Sequence, residues 1–336
     1  MILITGGAGY IGSHTTLLLL NQGYELVVLD NLSNSSPESL RRVAQLTGKN
    51  IPFVKGDIRD RALLDQLFCD YPINAVMNFA GLKAVGESVA KPLDYYHCNV
   101  YGATVLLQAM QEAKIKTFVF SSSATVYGDP IQNPIDENYP TQSPTNPYGA
   151  TKLMIERMLS DVVRADNDWN IAILRYFNPI GAHESGEIGE DPNGIPNNLL
   201  PYIARVATGV FPHLSVFGDD YPTQDGTGVR DYIHVMDLAQ GHLDALNVIE
   251  QKKGLHIWNL GTGTGYSVLE IIHAFERASG KNIPYQIAPR RQGDIAMCYA
   301  NPAKAERELG WKATRDLETM MKDTWRWQTK NPNGYR

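Results

Sequence analysis

The sequence predicts a protein of the α/β class, with a doubly wound parallel sheet in its first half and a smaller mixed α/β domain after it. Three observations carry this. Short apolar runs alternate with amphipathic stretches long enough for helices over residues 1–175. The runs are near-continuous in Val, Ile, Leu and Phe, the pattern of strands buried on both faces. A glycine cluster follows the first run directly, where a strand must turn sharply into a helix.

Strands are expected at Ile2–Thr5, Glu25–Leu29, Ile51–Lys55, Ala75–Phe79, Thr117–Ser121 and Asn170–Leu174. Residues 1–175 form the first domain in this reading. Past Arg175 the texture changes. Gly, Pro, Asn and Asp crowd residues 178–198 and again 218–228, and a helix is expected around Asp316–Thr329. Residues 176–336 are assigned mainly to substrate binding. No low-complexity linker separates the two parts, so they should pack tightly.

Composition narrows the function. The net charge of -6 over 336 residues argues against a general nucleic-acid or membrane-surface binder. The apolar run Leu17–Leu20 is far too short to span a bilayer. Cys69, Cys98 and Cys298 are far apart and odd in number, and the eight histidines lack ligand spacing, so neither disulfides nor a metal are expected. The chain runs from Met1 straight into the glycine motif, which leaves no room for a leader peptide, so a cytoplasmic location is expected.

Gly6, Gly9 and Gly12 are spaced G-x-x-G-x-x-G between the first strand and the first helix. Glycine is needed where backbone turns tightly and must approach a pyrophosphate, and the helix start offers free N–H groups to its charge. This is the context of a Rossmann dinucleotide site. Asp30, at the end of the second strand, is placed to accept hydrogen bonds from the adenosine ribose hydroxyls and to repel a 2′-phosphate, so NAD is expected rather than NADP. Tyr10 and Ile11 within the turn, and Asn31, Ser33, Asn34 and Ser35 after Asp30, join the candidate cofactor contacts. Asp57 and Ile58 follow the third strand, and Phe79, Ala80 and Gly81 lie at the end of the fourth. Strand carboxyl ends are where such sheets bind ligands. Asp57 is placed to meet adenine, and Lys83 phosphate or ribose.

The candidate chemistry follows the fifth strand. Ser123 closes a serine run, and Tyr148 and Lys152 lie four apart at the opening of a helix, hence on one face. A tyrosine of ordinary pKa, about 10, is a poor base at neutral pH. The Lys152 ammonium and a cationic nicotinamide ring are expected to lower it. Ser123 can hydrogen-bond the reacting oxygen. The three together point to hydride chemistry on a bound alcohol.

These residues resemble the extended short-chain dehydrogenase/reductases and, among them, the UDP-glucose 4-epimerase family, over nearly the whole chain. The resemblance is carried by Thr5–His14, Phe79–Ser88, Ser121–Gly128, Arg175–Pro179, Gly194–Leu199, Gly228–His234 and Arg290–Asp294. It implies that Phe177 and Asn99 contact NAD, while Cys98 is given no role. It implies that Ser123, Tyr148, Asn178, Asn198 and Leu199 meet a UDP-sugar. Val216 and Phe217 would line the uracil pocket, Arg230 and Arg291 would bind the diphosphate, and Asp294 would hold the uridine ribose. Two guanidinium forks suit phosphate oxygens in a net-acidic protein; alternatively Arg230 forms a loop salt bridge with Asp231. The activity implied is inversion of carbon 4 of a UDP-hexose through a transient 4-keto sugar. Cys298, on the hexose wall, would leave room for N-acetylated sugars, unless it is simply a small buried residue.

Alternatives remain at this level: a nucleotide-sugar 4,6-dehydratase, another NAD-dependent oxidoreductase, or a non-enzymatic NAD sensor. Dehydratases place Thr-Asp-Glu where this chain has Ser123-Ala124-Thr125, and a sensor has no use for a tyrosine–lysine pair. Thr151–Val163 and Val100–Met110 carry more apolar surface than one buried stripe requires, so a homodimer built on these two helices is expected.

Overall fold

The computed structural model describes residues 1–141, 143–291 and 293–336. Gln142 and Gln292, the second within the Arg290–Asp294 motif, lie outside the described residues. The strands are β1 Ile2–Thr5, β2 Leu26–Asp30, β3 Phe53–Lys55, β4 Ala75–Asn78, β5 Thr117–Ser123, β6 Asn170–Tyr176, β7 Asn178–Ile180, β8 Leu214–Phe217, β9 Val229–His234, β10 Gly254–Leu260, β11 Gly265–Ser267, β12 Tyr285–Ala288 and β13 Met297–Cys298. The helices are α1 Tyr10–Asn21, α2 Pro37–Thr47, α3 Arg61–Asp70, α4 Val85–Ala90, α5 Pro92–Tyr95, α6 Gly102–Glu112, α7 Pro147–Ala165, α8 Leu199–Ala207, α9 Val235–Ile249, α10 Val268–Ser279, α11 Ala303–Leu309 and α12 Leu317–Lys330.

Seven strands form one parallel sheet in the order β10-β6-β5-β4-β1-β2-β3. Alternation along the strands sorts their side chains onto two faces. Ile2, Ile4, Val28, Met77, Val119 and Leu174 pack against α1, α2 and α9 on one side. Leu3, Val27, Leu29, Val76, Phe118, Phe120 and Ile173 pack against α3, α6 and α7 on the other. This is why the strands read as unbroken apolar runs. The chain leaves β1 toward β2 and later returns to β4 on its other side, which opens a crevice at the carboxyl ends of β1 and β4.

The six expected strands are present with shifted ends. β2 begins at Leu26 and β3 at Phe53, while β5 and β6 run on to Ser123 and Tyr176. The extension pairs Ser121, Ser122 and Ser123 with Leu174, Arg175 and Tyr176, so polar residues continue the ladder because a partner strand lies beside them. The seventh strand, β10, was not among the expected ones. It comes from beyond residue 176, pairs with β6, and is joined to the first region by α9 packed on α1.

The later residues form a smaller sheet in which β9 pairs with β7, β11 and β13, and a separate β8–β12 ribbon. Their core gathers α8, α10 and α12. The expected helix near Asp316 is α12, whose cap Asp316 accepts from Thr319 N at 2.9 Å. The expected helix from Val100 begins instead as a π-helical turn, Tyr96–Tyr101, before α6. Val105, Leu106, Leu107, Ala109 and Met110 of α6 are all covered by the same chain, so the apolar excess read there is spent on the monomer's own core. Among the described residues no helix is long and apolar enough to cross a membrane.

Candidate active site

The glycine turn forms the floor of the crevice. A Cβ on Gly6 would stand 2.6 Å from Ala80 N, and one on Gly12 would stand 2.3 Å from Gly6 O. No side chain fits at either place, so the turn leaves bare backbone at the start of α1, the arrangement that admits a pyrophosphate. Asp30 ends β2 at the rim, oriented by Ala8 N at 3.0 Å, Leu32 N at 2.9 Å and Ser35 Oγ at 2.8 Å. Asp57 is bound by Arg59 Nη2 at 2.7 Å and by Asn31 Nδ2 at 2.8 Å, and the guanidinium holds its carboxyl well below the usual range. The residues present fit a dinucleotide.

All but three of the expected cofactor residues wall this one cleft: Gly6, Gly9, Tyr10, Ile11, Gly12, Asp30, Asn31, Ser33, Asn34, Ser35, Asp57, Ile58, Phe79, Ala80, Gly81, Lys83, Tyr148 and Lys152. Asn99 is buried, with its amide engaged by Leu82 N at 2.8 Å, Leu82 O at 3.0 Å and Thr151 Oγ1 at 3.1 Å. Its neighbour Cys98, given no role from sequence, is the one that faces the cleft. Phe177 packs in a separate buried cluster with Cys298, Tyr127 and Leu153, and Tyr176 takes the wall position. Ser123 is buried at the end of β5, where its Oγ accepts from Thr125 N at 3.2 Å and Thr125 Oγ1 at 3.0 Å, and its hydroxyl acts on the Tyr148 phenol to lower its pKa.

The catalytic candidates are placed by α7. Asn146 caps the helix by accepting from Gly149 N at 2.9 Å, and Pro147 occupies the first turn. Tyr148, Lys152 and Glu156 then recur one turn apart on the buried face. Lys152 Nζ donates to Ser121 O at 2.7 Å and lies 4.8 Å from the Phe120 ring centre and 5.8 Å from that of Tyr148. Glu156 accepts from Ser122 Oγ at 2.5 Å and forms a buried ion pair with Arg175 at 2.6 Å. Arg175 also donates to Tyr127 OH at 3.1 Å. Sequence reasoning missed the Glu156–Arg175 pair. The signal was present, since Glu156 continues the four-residue spacing of Tyr148 and Lys152.

The titration of the pair differs from the sequence expectation. Burial pushes the Tyr148 phenol up to about 12, opposed only by a hydrogen bond from Ser123. Burial lowers Lys152 to about 8, against the pull of Glu156 and Cys98. The protein alone therefore does not lower the tyrosine pKa: desolvation outweighs the Ser123 hydrogen bond. What it supplies is a lysine held in a dry site beside the phenol.

The expected sugar-nucleotide contacts lie on separate loops. Asn198, at the start of α8, donates to Glu190 Oε1 at 2.8 Å, and the same carboxylate pairs with Lys83 at 3.1 Å. Leu199 follows in the first turn, and Asn178 is exposed on β7. Val216 turns into the core while Phe217, on the opposite face of β8, is exposed with Arg291 4.9 Å above its ring. Arg291 also pairs with Asp294 at 2.9 Å. Arg230 folds back on Val229 O at 2.8 Å, and Asp231 is engaged by Thr262, Gly263 and Ala300 instead. Cys298 is buried beside Ala124, Val126 and Phe177.

The model of the GDP-mannose 4,6 dehydratase family matches residues 3–324. A UDP-glucose 4-epimerase from Bacillus subtilis (strain 168) is 62% identical over 335 residues, covering 100% of this chain and 98% of that protein. The crystal structure of UDP-glucose 4-epimerase from Bifidobacterium longum in complex with NAD+ and UDP is 57% identical, covers 99% of both chains and superposes with a TM-score of 0.97. The enzyme from Stenotrophomonas maltophila, with bound NAD and formylated UDP-arabinopyranose, is 51% identical over 98% of both chains with a TM-score of 0.96.

Proposed function

The chain belongs to the UDP-glucose 4-epimerase family, and from that premise we propose that it interconverts UDP-galactose and UDP-glucose by NAD-dependent inversion at carbon 4. One observation supports this above the others: Tyr148 and Lys152 wall the same cleft as the glycine turn and Asp30. A substrate alcohol on Tyr148 therefore adjoins a bound dinucleotide. When bound, NAD supplies reversible hydride uptake at carbon 4.

The chain's own residues do the rest. Tyr148, as phenolate, takes the proton of the 4-hydroxyl, and Ser123 hydrogen-bonds the same oxygen as the 4-keto sugar forms. Lys152 holds positive charge beside the phenolate. Arg230 and Arg291 hold the diphosphate and Asp294 the ribose, while Phe217 offers a flat face to the base. Asn178, Asn198 and Leu199 border the sugar. The sugar must present both faces in turn, so binding energy belongs on the UDP rather than on the hexose. Elimination of water would need an added acid and base beside Ser123, and positions 124 and 125 hold Ala and Thr.

Cys298 supports a wider substrate range. It is buried in one cluster with Ala124 and Phe177, and burial pushes the thiol up to about 12, so it is a small neutral side chain. The next residue, Tyr299, turns its ring toward Gly265. We extend the proposal to UDP-N-acetylglucosamine and UDP-N-acetylgalactosamine.

We further propose a cytoplasmic homodimer, with residues 1–175 binding cofactor and 176–336 mainly substrate. Val89, Leu93, Tyr101 and Met154 expose apolar surface on α4, α5, the π-helical turn and α7, which pack together. Light scattering at micromolar concentration should give twice the chain mass. The activity test is direct. Purified protein given UDP-galactose and no free nucleotide should form UDP-glucose; absence of conversion, with or without added NAD, would overturn the reading.

A further inference from the structure

A feature of the cleft has no counterpart in the motifs. Gly189, Glu190, Asp191 and Pro192, from the loop after β7, and Tyr335, next to the C-terminus, also line it. This segment crosses the mouth between the two rims. At one rim Asn193 N donates to Asn34 Oδ1 at 3.2 Å, and Asn193 Nδ2 donates to Ser33 O at 3.3 Å. At the other, Glu190 accepts from Lys83 Nζ at 3.1 Å. Ser33, Asn34 and Lys83 are themselves on the cleft wall, so the segment reaches from one wall of the cleft to another.

The segment is fixed from behind by the end of the chain. Tyr335 N donates to Asp191 Oδ2 at 2.8 Å, and the Tyr335 hydroxyl meets Gly189 N at 3.1 Å and Gly189 O at 3.2 Å. Trp327 Nε1 donates to Glu190 O at 3.2 Å. The fit is close: a Cβ on Gly189 would stand 2.4 Å from the Trp327 ring, and one on Gly334 would stand 2.2 Å from the Asp191 carboxylate. Arg42 of α2 then fastens this assembly to the first region. Its Nη1 donates to Glu187 O at 3.0 Å and to Asn331 Oδ1 at 2.5 Å, and its guanidinium lies 5.2 Å from the Tyr335 ring centre and 5.8 Å from that of Trp327.

We infer that the C-terminal segment Asn331–Arg336 is part of the cofactor site: through Tyr335 it holds Gly189–Asn193 across the mouth of the cleft and keeps the bound dinucleotide from exchanging with solution. The inference rests on the reading that this cleft takes NAD. An epimerisation regenerates its cofactor each cycle, so a cleft shut behind it costs no turnover. Release requires the strap to detach from both rims and from Tyr335, and differences of this kind appear mainly in the dissociation rate.

The test is exchange of radiolabelled NAD into the purified holoprotein, followed by gel filtration. The full chain should retain its cofactor with negligible exchange. A chain ending at Lys330 should exchange at least about tenfold faster, and its activity after gel filtration should return when NAD is added. Tyr335→Ala leaves α12 intact and Asn193→Ala alters only an exposed residue; both should accelerate exchange in the same direction, which decides the matter if the shortened chain fails to fold. Exchange at the full-chain rate in Tyr335→Ala and Asn193→Ala overturns the inference. A full chain that neither carries nor takes up dinucleotide overturns the reading of the cleft itself.

Discussion

The region around Tyr148 and the region around Arg291 differ in how far they are assembled before a substrate arrives. Around Tyr148 the charges are buried and paired through fixed neighbours: Lys152 on Ser121 O, Glu156 on Ser122 and Arg175. Around Arg291 the charges sit on loops and pair with one another. Arg291 holds Asp294 with half of its side chain exposed, and Arg290 holds Asp220 at 2.7 Å in the open. Exposed pairs of this kind are worth about 0–1 kcal/mol, whereas breaking a buried pair costs about 3–5 kcal/mol. The molecule thus keeps the charges around Tyr148 fixed and leaves those around Arg291, the groups proposed to meet the diphosphate, in partnerships that a ligand can cheaply replace.

The comparison can be broken at several points. The largest effect is expected at the phenol. Tyr148→Phe removes only a hydroxyl and should lower kcat by about 10² to 10⁴, the range for loss of a general base, while cofactor content is unchanged. Near-normal turnover would remove Tyr148 from the mechanism.

Next comes the contrast between the two ion pairs. Glu156→Gln leaves Arg175 a buried cation without its partner and should cost about 3–5 kcal/mol of stability in denaturant titration. Asp294→Asn at the exposed pair should cost less than about 1 kcal/mol while weakening UDP binding in calorimetry. Equal losses of stability would erase the distinction between the regions.

Cys298→Tyr inserts a ring into a packed wall, a change of a size that typically costs about 1–3 kcal/mol. Independently of that stability cost, the ring should collide with the N-acetyl group, so turnover of UDP-N-acetylgalactosamine should be abolished while that of UDP-galactose is largely kept. Lack of N-acetylhexosamine turnover in the unmodified enzyme would show that another wall closes the pocket.

The smallest effect, per pH unit, concerns acid. Burial lowers His14 from 6.5 to about 3 and His242 from 6.5 to about 4; both lie in the prebuilt region, His14 on α1 behind the glycine turn and His242 against Ser121 Oγ at 2.6 Å. Below pH 6.5 the unfolded chain takes up protons that the folded one refuses, so stability present above that pH is lost as pH falls toward 4. Each group contributes at most about 1.4 kcal/mol per pH unit in that window. Melting temperatures from pH 7 to 4.5 check the slope. His242→Gln should flatten it; an unchanged slope would contradict the assignment.

The same contrast explains what was legible in the sequence. The sheet announced itself because strands such as Leu26–Asp30 are buried on both faces, and the glycine turn and the Tyr148–Lys152 spacing are local patterns. β10 was harder, since Gly254–Leu260 mixes His256 and Asn259 among its apolar residues and lies far from its partner β6 in sequence. Glu156 kept the spacing of Tyr148 and Lys152, but its partner Arg175 comes from another strand. The raising of the Tyr148 phenol by the protein's own groups was not legible, because burial depends on the whole fold rather than on the neighbouring lysine. Tyr335 lies 146 residues from the glycine it holds, so no local pattern could reveal the strap.

The central claim, that carbon 4 is inverted by removal and return of the same hydrogen within one closed site, is tested most directly with UDP-galactose carrying deuterium at carbon 4. Incubated with the purified protein and no free nucleotide, it should give UDP-glucose that keeps the deuterium at carbon 4, with none in solvent, as read by NMR and mass spectrometry. Loss of the label to water, or a strict need for added NAD in every turnover, would contradict the account.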